Sequence, residues 1–225
     1  FVEDMIHTVE QRAGGVRDGD TVPVLEFIQR LTVDLLSLSA SGCPLGDDQY
    51  KSLERYAKTF IGSGVAGRPS FLLKMPGYSR AKKEVHELLL RMVSDREKSA
   101  REPNHRGDLM DIVSSARYPD GRPFNETDRA ANAHLPYANG YIYAGRICAS
   151  MLYSLLKNES IMQRVRQEID TAYAKGIPNI QRLHGMVTLR NCVKETLRLH
   201  TIAPAVPRYA AKDFDFEGYT IPQGS

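Results

Sequence analysis

Apolar residues along the chain recur mostly at helical spacing, and strand-like alternation is confined to short stretches. Phe1 to Arg12 reads as a helix ended by Gly14-Gly15. Val24 to Ser39 reads as a second, with Leu25, Ile28, Leu31, Leu35 and Leu36 on one face, before Gly42 and Pro44 break it. Asp47 to Ile61 makes a third. Gly62, Gly64, Gly67 and Pro69 follow as a connector, since a phosphate loop would need a preceding strand and a Lys-Ser/Thr ending. Ser79 to Ala100 is a long surface helix, with Val85, Leu88, Leu89 and Met92 on one side and Lys82, Lys83, Arg91 and Arg96 elsewhere. Asp108 is placed to cap a short helix from Leu109 to Ala116, a better use of it than the adhesion tripeptide it completes with Arg106-Gly107.

Asn125, with Asp128 three residues on, resembles a capping box that opens a much longer helix. From Arg129 to Leu156 that helix is apolar almost all round, Arg146 being its only later charge, which predicts burial on most sides at the centre of the fold. It would span roughly 40 Å. Pro136, Asn139, Gly140, Gly145 and Arg146 make the alternative, a membrane span, costly. Pro136 removes a hydrogen bond and crowds the preceding turn, so a bend is expected there. Ile161, Val165, Ile169 and Tyr173 then mark an amphipathic helix ended by Gly176 and Pro178, and Leu189 to His200 forms another. Pro204 and Pro207 force an extended path, and Phe214 to Pro222 alternates like a small hairpin. The expected class is mainly α, with a long buried central helix and a small β region.

Composition narrows the chemistry. Of 225 residues, 42% are hydrophobic and 25% charged, enough apolar material for a core and too much for a disordered chain. The formal charge of +3 comes from Lys and Arg interleaved with Asp and Glu, without the basic block that would grip nucleic acid. Cys43, Cys148 and Cys192 are widely spaced and outside any zinc pattern, which suits a reducing compartment. The charges at Glu3, Asp4 and Glu10 do not make a signal peptide. The expected location is the cytoplasm or a cytoplasm-facing membrane surface.

Glu195 and Arg198 lie three apart and share one side of their helix, opposite Leu189, Cys192, Val193 and Leu197. Alone, such a pair is most often a solvated salt bridge. Its surroundings are more specific. Lys194-Glu195-Thr196-Leu197-Arg198-Leu199-His200, then Pro207-Arg208, then Gly218-Tyr219-Thr220-Ile221-Pro222-Gln223-Gly224-Ser225, resemble consecutive landmarks of the cytochrome P450 family. The resemblance implies a P450-type helical fold binding haem b, incomplete in this chain. Residues 1–225 would be a partial domain: 1–120 roof helices over the substrate, 125–156 the central distal helix, 159–200 the following helices with Glu-x-x-Arg, and 204–225 the start of the β region. Glu195 and Arg198 would lock the core, buried beside the haem. Arg208 would bind a haem propionate by a charge-assisted contact, Ala203 and Val206 would face porphyrin or substrate, and Gly140 would lie at the cofactor. The implied activity is that of a haem-thiolate monooxygenase acting on a hydrophobic lipid-, sterol- or terpene-like substrate, supplied with electrons by a ferredoxin or reductase.

Two departures qualify the resemblance. Oxygen-activating members carry Ala/Gly-Gly-x-Asp/Glu-Thr on the central helix; the matching positions here are Asn139-Gly140-Tyr141-Ile142-Tyr143, so Ile142 and Tyr143 replace the acid and the alcohol. Isoleucine cannot relay protons, and the Tyr143 phenol, with an ordinary pKa near ~10, is a poor donor and a bulky wall. Tyr143 is nonetheless the catalytic candidate. The loss favours, as an alternative, an isomerase, dehydratase or peroxide-using enzyme; a haem-free helical binding module is a third reading. The family's Phe-x-x-Gly-x-x-x-Cys-x-Gly loop, which supplies the thiolate, does not occur in residues 1–225. Cys148 and Cys192 fall on helices and Cys43 in an early loop, so the metal ligand is expected outside this chain, and catalysis is expected of the whole protein.

Overall fold

The helices expected from periodicity form, and some of their ends fall on residues that satisfy the free backbone groups. The computed structural model describes residues 2–64, 68–99, 107–201 and 208–225. Helix α1 spans Val2–Ala13, α2 Val24–Ser41, α3 Asp47–Gly64, α4 Pro76–Ser99 and α5 Leu109–Ser115. Gly42 ends α2 in the left-handed region at φ 74°, donating its N–H to the Leu38 carbonyl. Pro76 opens α4 earlier than expected, at a position whose N–H has no helical acceptor in any case. Asp108 caps α5 as anticipated: its carboxylate accepts the amides of Met110 and Asp111, and Asp111 accepts the Asp108 amide at 2.7 Å. At the next helix only half of the expected box forms. The Asn125 side chain accepts the Asp128 amide at 2.8 Å, but the Asp128 carboxylate is taken by the Tyr118 hydroxyl.

The central rod is continuous but not uniform. It runs as α6 (Glu126–Asn139), a π turn (Gly140–Ala144) and α7 (Gly145–Leu156). Pro136 lies inside regular α-helix, and the irregularity of the rod is the widened turn four residues on, in which the Gly145 N–H reaches back five residues to the Gly140 carbonyl. Helices α2, α3, α4 and α5 pack on one side of the rod, and α8 (Glu159–Tyr173) and α10 (Val187–Leu199) against α7. The core gathers Val33, Leu53, Val85, Leu89, Val93, Met110, Ala133 and Tyr137 between them. Ala130, Ala133, Tyr137, Gly140, Tyr141, Ile142 and Ala149 of the rod are buried. Leu135, Tyr143 and Tyr153 of the rod are exposed over 55%, 41% and 55% of their surfaces, Leu135 beside α5 and Tyr153 beside the start of α2.

The leucine row of α2 flanks the buried side of that helix instead of forming it. The residues packed innermost are Gln29, Thr32, Val33, Asp34, Ser37 and Ala40. At the rod's glycines α2 comes close enough for Gln29 and Thr32 to reach its backbone and for Leu36 to sit against Gly140, while the Ser37 hydroxyl donates to the Cys43 carbonyl. Asp34, fully buried, is compensated by Arg12 at 2.8 Å and Arg30 at 3.1 Å, which ties α1 to α2.

Two short helices escaped the periodicity: a single 3-10 turn (Ser70–Lys74) and α9 (Ile180–His184), the latter capped by Asn179. The small β region is the expected hairpin. Strands β1 (Phe214–Phe216) and β2 (Tyr219–Ile221) pair antiparallel, with Phe216 opposite Tyr219. Glu217 and Gly218 both have positive φ, 49° and 83°, the two-residue turn whose twist matches the strands. Among the described residues no helix is long and apolar enough to cross a membrane.

Candidate functional site

The segment Asn139 to Tyr143 occupies the π turn, and the turn sorts its residues to different sides. Gly140 faces α2: a Cβ there would meet Leu36 Cδ1 at 2.6 Å, so its bareness serves helix packing. Tyr141 is 2% exposed and points to α3, where its hydroxyl donates to Glu54 Oε1 at 3.3 Å and its ring meets Tyr50 edge-on at 6.2 Å. Burial and the Glu54 charge push both phenols well above their ordinary pKa. Ile142 is buried in the core. Asn139 and Tyr143 are the exposed members of this segment.

Glu195 and Arg198 do meet, as the helical spacing dictates. Arg198 donates from Nε at 2.8 Å and from Nη2 at 2.6 Å to the two carboxylate oxygens, a fork geometry. The guanidinium holds the Glu195 carboxyl below the usual carboxylate range, and the carboxylate raises Arg198 in turn. The expected burial of this pair is not realised: the side chains are 56% and 66% exposed, because no described element lies over that face of α10. Glu195 also lines a cavity of about 500 Å³. Met151 and Leu155 of α7, Ile161 and Arg164 of α8, and Cys192, Thr196 and Leu199 of α10 contribute its walls.

What anchors α10 there was not legible in the sequence. Glu168 of α8 accepts the amides of Thr188 at 2.7 Å and Leu189 at 3.0 Å, satisfying the first turn of α10 from a neighbouring helix. These amides hold its carboxyl below the ordinary range. Arg182 likewise ties the α8–α10 connection, donating to the carbonyls of Ala172 and Ile177 at 2.9 and 2.7 Å.

Arg208 is exposed at the start of the last described stretch, ahead of the hairpin; Ala203 and Val206 lie outside the described residues. Burial pushes the Cys148 and Cys192 thiols above their ordinary pKa. Cys43 is exposed in the α2–α3 connection, its carbonyl accepting the Ser37 hydroxyl.

Residues 69–225 match the family model for cytochrome P450. A probable cytochrome P450 6a21 of Drosophila melanogaster is 28% identical over 236 residues, covering 93% of this chain and 46% of the relative. Lanosterol 14-alpha demethylase of Pongo abelii is 25% identical over 202 residues, 85% of this chain and 39% of the relative. Among solved structures, the retinoic acid-bound cyanobacterial CYP120A1 aligns with a TM-score of 0.76 over 99% of this chain and 49% of its own, at 19% identity, a likeness of fold. The chain thus spans about half the length of these relatives. A helical bundle built around an interrupted central rod, the Glu-x-x-Arg pair on α10 and a family match over well more than half of the residues lead to one assignment: the chain belongs to the cytochrome P450 family.

Proposed function

We propose that the protein carrying this chain is a haem-thiolate oxidoreductase for a hydrophobic small molecule, with a ferredoxin or reductase as electron donor. The observation that carries this is the family match over residues 69–225, together with Tyr143, which stands 41% exposed on the π turn while Tyr141 and Ile142 beside it are packed into the core. An exposed aromatic ring on the central helix suits a wall beside a flat porphyrin and a greasy substrate. Bound haem would supply the oxygen- or peroxide-activating redox chemistry. The residues of this chain would do the rest: Tyr143 as a wall and hydrogen-bonding group beside the reacting atoms, Arg208 as the cation for a propionate, Ala203 and Val206 along the adjoining segment, and Glu195 with Arg198 as a structural lock. The thiolate would come from outside this chain, since Cys148 and Cys192 lie on helices α7 and α10 and Cys43 in the α2–α3 connection. Relatives named for lanosterol and bound to retinoic acid are consistent with an apolar substrate.

A specific observation favours a second reading. Ile142 is buried and Tyr143 stands where a relay pair would be, so this segment offers no carboxylate to pass protons to bound oxygen. That suits an isomerase, dehydratase or peroxide-using enzyme acting on an oxygenated lipid. Both are tested with the whole protein: its reduced carbonyl complex should show the red-shifted Soret band that names the family. Turnover with oxygen and a reductase supports the monooxygenase; turnover of a lipid hydroperoxide without reductant supports the second. Failure to take up haem at all would leave a helical ligand-binding module.

A further inference from the structure

The π turn is held from the outside of the bundle. On a regular α-helix, Gly140 and Gly145, five residues apart, would sit about 140° apart around the axis. The additional residue in the widened turn brings both against α2. A Cβ on Gly145 would lie 2.8 Å from Gln29 Cα and 3.0 Å from Thr32 Oγ1, just as one on Gly140 would strike Leu36. At this separation α2 reaches the backbone of the turn itself. Gln29 Nε2 donates to the Tyr141 carbonyl at 2.8 Å, and the Thr32 hydroxyl lies 3.1 Å from the Gly140 carbonyl, sharing its hydrogen with the carbonyls of Ile28 and Gln29 on its own helix.

These contacts fall where the turn needs them. The Gly140 carbonyl already accepts the five-residue bond from Gly145. Returning from five-residue to four-residue spacing skips one carbonyl, and the Tyr141 carbonyl, directly after Gly140, takes the Gln29 amide. Gln29 is 4% exposed and Thr32 8%, so neither partner has water as a substitute. The Tyr141 hydroxyl on Glu54 adds a third tie, from α3. Tyr143, two residues on, carries no such tie and is exposed.

We propose that Gln29 and Thr32 are positioning residues for the exposed Tyr143 of the rod: from α2 they hold the π turn widened, and thereby set how Tyr143 presents to a bound ligand. The hold is independent of what that ligand is; its consequence for chemistry rests on the function proposed above.

The test uses the whole protein, with 3-fluorotyrosine at position 143 and, separately, at 118 as a remote control. Thr32→Val removes the hydroxyl at nearly constant volume, Gln29→Met removes the amide, and Thr32→Ser restores a hydroxyl. Each loss should speed amide hydrogen exchange at residues 141–146 by roughly 10-fold, without matching change in α3 or α4, and shift the fluorine resonance at 143 but not at 118. Thr32→Ser should behave as wild type. If Gln29→Met does not fold, Gln29→Glu, which keeps the shape and turns the donor into an acceptor, serves instead. Exchange that rises evenly through the bundle, or a 143 resonance that stays put, overturns the proposal. Neither readout involves turnover, so a catalytically silent Tyr143→Phe would sink the chemical role of Tyr143 and leave the positioning role intact.

Discussion

His134 is the clearest place where burial sets a pH dependence. It lies on α6 with its ring 4.8 Å from that of Tyr56 on α3, and its Nε2 is buried without a hydrogen-bond partner. Burial, and secondarily the charge of His86 on α4, push its pKa from 6.5 down to about 4. The folded protein therefore keeps the imidazole neutral while the unfolded chain protonates it. Above pH ~6.5 both states are neutral and nothing is lost; as pH falls through the unfolded value the unfolded state gains a proton first, and stability declines until the folded group titrates near pH ~4. Between pH 7.5 and 5.0 this one site should cost about 2 kcal/mol of folding stability, near the limit of ~1.4 kcal/mol per pH unit for a single proton. Denaturant unfolding of the whole protein at the two pH values, compared with His134→Phe, isolates the effect, since most carboxylates titrate lower. The variant should be flatter by about that amount. An equal acid slope in the variant, or an imidazole that titrates near 6.5 by NMR, would refute the account.

Three further outcomes are expected. Gly42→Ala should destabilise by about 2 kcal/mol in chemical unfolding, because φ 74° is unfavourable for a Cβ, which would also sit 2.6 Å from Arg96 Nη2. Gly42→Asn separates these causes: asparagine tolerates the left-handed region, so a smaller loss marks backbone strain and an equal one marks the arginine contact. Asp108→Ala removes both the α5 cap and an ion pair to Arg96 at 2.6 Å and should cost about 2 kcal/mol, while Asp108→Asn keeps the cap and should recover part of it. Gly145→Ala should loosen α2 from the rod by overpacking against Gln29, costing about 1–3 kcal/mol and speeding exchange in both elements.

Much of the fold is written locally. The helices follow from spacing, the α5 cap from Asp108 and Asp111, and the hairpin from alternation across Glu217-Gly218, since each depends on residues a few positions apart. What was not legible depends on partners distant in sequence. Gln29 and Thr32 are buried on α2 because two glycines more than a hundred residues later let the rod come close. Asp128 serves Tyr118 and not the cap, because a turn ten residues earlier brings the phenol within reach. Glu168 caps a helix twenty residues on, with no spacing rule to announce it. Pro136 pointed to a bend at its own position, whereas the irregularity is a π turn four residues on, where Gly140 and Gly145 lie close against α2.

The same division explains the candidate site. Glu195 and Arg198 pair because they are three apart on a helix, and that much needs no tertiary structure. Whether such a pair is a structural lock or a solvated bridge depends on what lies over it, and among the described residues nothing does. Tyr143 has the same character: the rod packs on α2, α3 and α4, while this ring is 41% exposed. Both features belong to elements whose inner faces are already packed. Covering them, by haem, substrate and the remainder of a P450 domain, would turn an exposed ion pair and an exposed tyrosine into the lock and the wall that the proposed function needs.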